Sequence, residues 1–224
     1  MTSMEYVTNA IHNLEDTLAR DGAQPLKIFG KKAGENPFPS NYRLELDVYL
    51  VSDDTLMSRY FQLILVLRWA KELGRIDIMT EVSVLSQIQC QPRSGHLAAI
   101  YCVFWYLKCN LKEISGRIVF YSKITDIDQQ LFHPSNKSVL EELYTDAEKG
   151  IPGNSPPPRG KPVYVGCYVG TDNAGNLLTR KSHTRIIIFV NNYPTIWYSK
   201  RHNTVQSSRF GSTFIALRIE TDMI

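Results

Sequence analysis

The sequence predicts an α+β protein in which a helical half is followed by a strand-rich half. Apolar residues recur at helical spacing through most of residues 4–108, whereas alternating and β-branched residues dominate from residue 163 onward. Between them, residues 151–162 are rich in proline and glycine and cannot hold regular structure. The predicted division is residues 1–122, a joint at 123–162, and residues 163–224.

Four helices are predicted in the first half, at residues 4–20, 56–73, 76–88 and 96–108. The first carries an apolar face of Met4, Val7, Ile11, Leu14 and Leu18. Gly22 and Gly74 are expected to end the first and second helices, and Pro92 to break the chain after the third. The fourth helix is apolar on nearly every side, which predicts that it is buried. Residues 22–53 are rich in Gly, Pro, Lys and Asn and are predicted to be a loop.

The stretch YLVSDD, residues 49–54, is similar to the tyrosine-x-aspartate-aspartate turn that holds metal in reverse transcriptases. That turn needs an apolar strand on each side to present its two acids. Here the acids directly precede an apolar helix, where a carboxylate accepts hydrogen bonds from the free N–H groups of the first turn. We therefore interpret Asp53 or Asp54 as a helix cap.

The second half predicts three strands and a helix. The strand patterns are VYVGCYVG (163–170), RIIIFVNN (185–192) and TIWYSKR (195–201), and the last two are expected to form a hairpin. The C-terminal helix is indicated by Phe210, Phe214, Leu217 and Ile219. Before the joint, residues 117–122 are strand-like and residues 138–149 predict a short acidic helix.

The composition predicts a soluble intracellular protein, cytoplasmic or nuclear, that is neither secreted nor membrane-bound. The apolar fraction of 43% is ordinary for a globular chain. The longest apolar runs, residues 60–70 and 97–111, are shorter than the roughly 18–20 residues that span a bilayer. The N-terminus is acidic and amphipathic, unlike a secretory signal.

The four cysteines, Cys90, Cys102, Cys109 and Cys167, include no CxxC pair. Cys102 and Cys109 share one face of the fourth helix near His96. Either these three residues bind zinc, or the two cysteines are ordinary buried thiols. The absence of paired spacing favours buried free thiols, and no metal site is predicted.

A long basic stretch between Asn173 and Ile219 contains no Asp or Glu. Its cations are Arg180, Lys181, Arg185, Lys200, Arg201, Arg209 and Arg218. Such a stretch suits a polyanionic partner, because each phosphate contact releases counterions. The alternative is a basic face whose acidic complement lies elsewhere in the fold.

Several groups of residues, among them Leu67-Arg68-Trp69 and Tyr106-Leu107-Lys108, together resemble the Pol polyprotein of copia-type LTR retrotransposons. Residues 59–108 are similar to the helical, thumb- and connection-like region after the reverse-transcriptase active site. Residues 6–18 and 41–47 resemble the stretch before it, and residues 160–218 the start of the attached ribonuclease H domain. The features that match include Leu67-Arg68-Trp69, Arg75, Asp77-Ile78, Pro92, His96, Tyr106-Leu107-Lys108, and the strand–hairpin–helix order after residue 163.

The departures from the family fall on the hydrolase ligands. The family's first strand reads tyrosine-x-aspartate-x-aspartate-x-alanine-glycine, and its first aspartate, a metal ligand, is Gly170 here. Asp172 is retained from the motif but lies roughly 7 Å further along the strand. The family's helix glutamate is Thr213 here, and Glu220 lies about 10 Å further along that helix. Metal–oxygen bonds of about 2.1 Å leave no room for either substitution.

The resemblance implies a truncated, degenerate fragment with half of a ribonuclease H-like α/β domain, three strands plus the first helix. Intact relatives synthesise DNA from RNA and cut the RNA of RNA–DNA hybrids with Mg²⁺. The polymerase acids would precede residue 1 and a third hydrolase aspartate would follow residue 224. This chain is therefore expected to be inactive and to need no cofactor. The remainder of a Pol polyprotein or a partner chain would complete it.

A different class of function is a non-catalytic module that binds RNA–DNA hybrid or another nucleic acid. The residues that match the family's basic hairpin are Arg180, Lys181, Lys200 and Arg201, which imply phosphate contacts. The alternative is that they are solvated hairpin ends. Trp69 and Trp197 lie inside apolar runs and are expected in the core rather than as base-stacking platforms. A third interpretation is a relic without a stable product, because a half sheet leaves strand edges unpaired.

Overall fold

The chain has an α+β fold in a computed structural model that describes residues 3–28, 36–38, 42–51, 53–111, 153–157, 163, 165–191 and 193–224. Within these residues, four helices precede a three-stranded antiparallel sheet, and a fifth helix follows it. The helices are α1 (Ser3–Arg20), α2 (Asp54–Glu72), α3 (Met79–Leu85), α4 (Ser94–Cys109) and α5 (Arg209–Thr221). The strands are β1 (Val165–Thr171), β2 (Lys181–Val190) and β3 (Tyr193–Val205). The predicted strand at 117–122 and helix at 138–149 lie outside the described residues.

The helices of the first half follow the sequence pattern closely. Gly22 adopts a φ of 63°, which ends α1 in the left-handed conformation that glycine allows. The apolar face of α1 is buried except for Met4, which is 51% exposed. The third predicted helix is shorter than expected, because only α3 is α-helical and 3₁₀ turns, Ile76–Ile78 and Ser86–Ile88, flank it.

The apolar core of the first half lies between α1, α2 and α4. α4 is buried along most of its length, as its continuous apolar sequence predicts. Ile64 and Leu67 of α2, and Ile100 and Phe104 of α4, are almost completely buried in this core. Trp69 is 54% exposed on the outer side of α2, so the expectation that it lies in the core was wrong.

The sheet has the order β1-β2-β3, and each neighbouring pair is antiparallel. The hairpin between β2 and β3 turns more tightly than the sequence suggests. Asn191 takes a φ of 56° at the turn, and Tyr193 already pairs with Val190. β2 begins at Lys181, four residues before the predicted start, because its first residues pair with the far end of β3.

Helices cover the two faces of this sheet. On one face the Cys167 side chain hydrogen-bonds to Glu220 of α5, and burial together with that carboxylate raises the pKa of the thiol to about 11. On the other face Arg185 Nε donates to Thr80 Oγ1 at 2.9 Å. There the hydroxyl of Ser83, in α3, donates to the carbonyl of Ser199 at 2.7 Å. We call these the α5 face and the α3 face.

α5 lies where the spacing of Phe210, Phe214, Leu217 and Ile219 predicts a C-terminal helix. Its small residues Ser212 and Ala216 are buried towards the sheet. Phe210, 80% exposed, and Phe214, 58% exposed, stack on each other at the surface with ring centroids 6.2 Å apart. The aromatic spacing therefore predicts the helix correctly but not its packing.

No helix in the described part of the chain is long and apolar enough to cross a membrane.

Candidate functional site

Gly170 and Thr213, the two positions where the sequence resemblance predicts metal ligands, lie on different sides of the sheet. Gly170 pairs with Arg185, and cross-strand partners project to the same face, so a side chain at Gly170 would lie on the α3 face. Nothing lies within 4 Å of the position that its Cβ would take. Thr213 is exposed on α5, which packs on the opposite face. The structure does not bring these two positions together.

Asp172 stabilises the connection between β1 and β2. Its Oδ1 accepts a hydrogen bond from the backbone N–H of His183 at 2.7 Å, and its own N–H donates to the His183 carbonyl at 3.3 Å. Two residues later, the N–H of Ala174 donates to Ser182 Oγ at 3.0 Å. A Cβ at Gly175 would collide with the Asp172 carboxylate. These contacts make Asp172 a turn-forming residue.

The four basic candidates divide between two environments. Lys181 and Arg201 line a cleft on the α3 face of the sheet. Lys200 is exposed and pairs with Thr184, which places it on the α5 face. Arg180 is exposed in the connection, with a φ of 55°. A surface that uses all four residues would have to cross the edge of the sheet.

The acidic complement of the basic stretch lies partly in the same cleft. Besides Lys181 and Arg201 its lining includes Arg185 and the carboxylates of Glu45, Glu81 and Asp172. Glu45 and Glu81 are more than ninety residues away from the basic stretch in sequence. The alternative of a basic face with acidic residues from elsewhere in the fold therefore holds for the α3 face, where carboxylates lie near the cations.

Burial dominates the electrostatics of this cleft. It raises the pKa of Glu81, an effect that Arg185 opposes and Asp77 reinforces. Burial, and then Arg185, lower the pKa of His183 to about 4 against the opposing effect of Asp172. Both groups are thus shifted towards their neutral forms.

Sequence reasoning missed a serine–histidine contact beside the cleft. His183 Nε2 lies 2.9 Å from Ser199 Oγ. A nucleophilic serine needs an imidazole whose other nitrogen is oriented by a third group. The nearby carboxylate of Asp172 instead accepts from the backbone of His183. The contact therefore joins β2 to β3 and is not arranged for nucleophilic attack. The contact between His183 and Ser199 follows only from the pairing of β2 with β3.

The residues considered for zinc are engaged elsewhere. His96 Nδ1 accepts from the N–H of Arg93 at 2.9 Å, so Nε2 carries the proton and donates to the carbonyl of Leu44 at 2.9 Å. The described residues contain no group of three or more His, Cys, Asp or Glu that could hold a metal. Cys102 is buried as expected, with a pKa raised to about 11 by burial. Cys90 and Cys109 are exposed, so the expectation of buried thiols was wrong for them.

The paired acids of YLVSDD have the capping role predicted for them. Asp53 is the cap of α2, and its carboxylate accepts from the N–H of Leu56 at 2.8 Å. Asp54 is the first helical residue.

No protein-family model, curated protein or solved structure matches this chain.

Proposed function

We propose that this chain is a degenerate fragment of a copia-type Pol polyprotein whose ribonuclease H site is inactive. The observation that carries the proposal is the identity of two residues, Gly170 and Thr213, where the family has an aspartate and a glutamate. Neither residue supplies the carboxylate oxygen that a divalent cation needs for phosphodiester hydrolysis. The observed order of strand, hairpin and helix supports the lineage, since the start of a ribonuclease H domain has the same order.

Neighbouring acids do not replace the missing ligands. The Asp172 carboxylate already accepts from the His183 amide and is fixed in the β1–β2 connection. Glu220 contacts Cys167 on the α5 face, whereas Gly170 belongs to the α3 face. A two-metal mechanism needs carboxylates that converge on ions about 4 Å apart. Asp172 and Glu220 do not converge on one such site.

The test is cleavage of an RNA–DNA hybrid in Mg²⁺ and in Mn²⁺. We expect the wild type and Thr213→Ala to show the same background as a mock purification. Metal-dependent cleavage by the wild type that Thr213→Ala loses would overturn the proposal. The flanking genomic DNA tests the lineage separately: polymerase motifs in frame before residue 1 support it, and an unrelated coding sequence there contradicts it.

A second candidate function is non-catalytic binding of nucleic acid. It is favoured by the exposed cations of the acid-free stretch: Arg180, Lys200, Arg209 and Arg218. Arg209 begins α5 and Arg218 lies in its last turn. These side chains can neutralise phosphates without any catalytic group.

Binding to an RNA–DNA hybrid at several salt concentrations tests this function. The logarithm of the binding constant should fall linearly with the logarithm of salt concentration, by about 0.9 for each phosphate contacted. Arg180→Ala and Lys200→Ala should each reduce that slope by about 1. Arg20→Ala, an exposed cation of α1, is the matched control and should not change it. Equal effects of all three variants would indicate nonspecific attraction and contradict a binding surface on the second half.

A further inference from the structure

Three parts of the chain form the walls of the cleft on the α3 face. One wall is α3, the second is the α3 face of β2 and β3, and the third is the segment 42–45. Two hydrogen bonds fix the third wall: Arg43 donates to the carbonyl of Gly175 at 3.0 Å, and the N–H of Leu177 donates to Glu45 at 3.1 Å. The enclosed volume is about 250 Å³. This volume is close to the roughly 300 Å³ at which pockets for drug-sized ligands start, so the pocket suits a small organic molecule and excludes a duplex.

The carboxylates that the structure describes in the pocket form no ion pair with Lys181 or Arg201, which also line it. The carboxylates of Asp172 and Glu45 already accept backbone N–H groups, from His183 and Leu177. Among the described residues, the side chains of Lys181 and Arg201 have no hydrogen bond or ion pair. Two cationic groups that line the same pocket are suited to a phosphate dianion, which accepts charge-assisted hydrogen bonds.

Other residues that line the pocket supply aromatic rings and a further carboxylate. Phe38 and Tyr42 line the pocket with their rings 6.2 Å apart and nearly perpendicular. The Tyr42 hydroxyl donates to Asp47 at 2.7 Å, which fixes the ring. An aromatic ring held in this way can stack on a nucleobase. On α3, Oε2 of Glu81 is buried and has no hydrogen-bond partner among the described residues. It is available to accept from a sugar hydroxyl.

We propose that this pocket binds a nucleoside 5′-monophosphate. Lys181 and Arg201 bind the phosphate, Glu81 accepts from a ribose hydroxyl, and Tyr42 contacts the base. The ligand is either a free mononucleotide or the phosphorylated 5′ end of a strand, which present the same chemistry. The proposal does not depend on the copia lineage, because the pocket uses none of the residues that define the hydrolase motif or the exposed cations of the hybrid-binding test.

The first test compares ligands by calorimetry and thermal unfolding of the full chain. The probes are AMP, adenosine, ribose 5-phosphate and inorganic phosphate, each at millimolar concentration. We expect AMP to bind about tenfold more tightly than any of the other three, because it alone uses all three parts of the pocket. No binding of AMP, or equal binding of AMP and inorganic phosphate, would overturn the proposal.

The second test uses neighbouring residues as matched controls. Lys181→Ala and Arg201→Ala should each weaken AMP binding about tenfold, equivalent to about 1.4 kcal/mol. Arg180→Ala and Lys200→Ala remove a cation one position away in sequence but outside the pocket, and should leave AMP affinity unchanged. Equal losses in the two pairs would contradict a site in this cleft. Thermal unfolding without ligand identifies any variant that is not folded.

Two further measurements examine the parts of the ligand. Glu81→Gln replaces one carboxylate oxygen by an amide NH₂, so the preference for AMP over inorganic phosphate should decrease. An unchanged preference would contradict the role of Glu81. A short 5′-phosphorylated oligonucleotide distinguishes the two sources of ligand: tighter binding than AMP identifies a strand end, and weaker binding a free nucleotide. Equal binding of the same oligonucleotide with a 5′-hydroxyl would overturn the assignment of the phosphate.

Discussion

The carboxylate of Asp172 accepts a hydrogen bond from the backbone N–H of His183 at 2.7 Å, across the connection between β1 and β2. An acid at the end of a strand beside a turn is also typical of metal-dependent nuclease sites, which would suggest a catalytic role for Asp172. Its contacts here are those of a structural residue. A carboxylate that accepts a hydrogen bond from a half-buried N–H contributes to stability and holds its side chain in the turn.

Asp172→Ala should lower the free energy of unfolding by about 1–3 kcal/mol, because it leaves the His183 N–H without its acceptor. Asp172→Asn keeps an acceptor oxygen and should cost less. Denaturant unfolding of the two variants measures the difference. Asn173→Ala, at an exposed neighbouring position, is the control. A cost for Asp172→Ala no greater than that of the control would refute the structural role.

Gly175→Ala should also destabilise the protein, because its new Cβ would collide with the Asp172 carboxylate. Forced overpacking of this kind typically costs about 1–3 kcal/mol. The two substitutions should not be additive: in an Asp172→Ala background the collision is absent, and Gly175→Ala should cost much less. A double-mutant cycle with unfolding free energies checks this. Strict additivity would show that the close contact does not exist in solution.

Local patterns in the sequence predict the helices well and the packing of the second half poorly. Helices α1, α2 and α4 follow from apolar spacing and from local stops such as Gly22. The start of β2 at Lys181 depends on pairing with Val205, more than twenty residues away. The buried side of α5 depends on which residues let the helix approach the sheet, and the small side chain of Ala216 does so. Neither relationship is encoded in neighbouring residues.

The pocket on the α3 face was not predictable, because its parts are far apart in sequence. Tyr42, Glu81 and Arg201 come from a loop, a helix and a strand. The sequence names four candidate phosphate contacts, of which Lys181 and Arg201 line the pocket and Arg180 and Lys200 do not. Alternation along a strand separates the two pairs only when the covering helices are known.

His183 should make the protein less stable in mild acid. Its pKa is lowered from the ordinary 6.5 to about 4, first by burial and then by Arg185, while Asp172 opposes the shift and His202 and Arg201 add to it. Above about pH 7 the imidazole is neutral in both states. As the pH falls from 6.5 to 4 the unfolded chain binds a proton that the native state does not, so the free energy of unfolding decreases by up to about 3 kcal/mol.

Urea unfolding at about pH 7 and about pH 4.5 measures this loss. His183→Gln removes the titrating group and keeps a polar partner for Ser199, so it should show a smaller loss of stability between the two pH values than the wild type. His12→Gln, at an exposed position on α1, should leave the loss unchanged. If His183→Gln and His12→Gln had the same pH dependence, burial of a neutral His183 could not be its cause.

Arg75 and Asp77 form a buried ion pair after α2 whose loss should be more costly than that of a surface pair. Arg75 is 2% exposed, and two of its nitrogens donate to Asp77 at 2.9 and 2.7 Å. Arg75→Ala would leave the Asp77 carboxylate in a mostly buried position without its partner, at a cost of about 3–5 kcal/mol. Lys108→Ala removes the partly exposed pair with Glu15 and should cost at most about 1 kcal/mol.

Thermal and urea unfolding of the two alanine variants checks the difference. The double variant Arg75→Met/Asp77→Leu should be more stable than Arg75→Ala, because removing both charges avoids an unpaired buried carboxylate. A double variant less stable than Arg75→Ala would show that Asp77 contributes to stability without Arg75, through its hydrogen bond with Tyr106. Equal stability of Arg75→Ala and Lys108→Ala would instead show that the Arg75 site is open to water in solution.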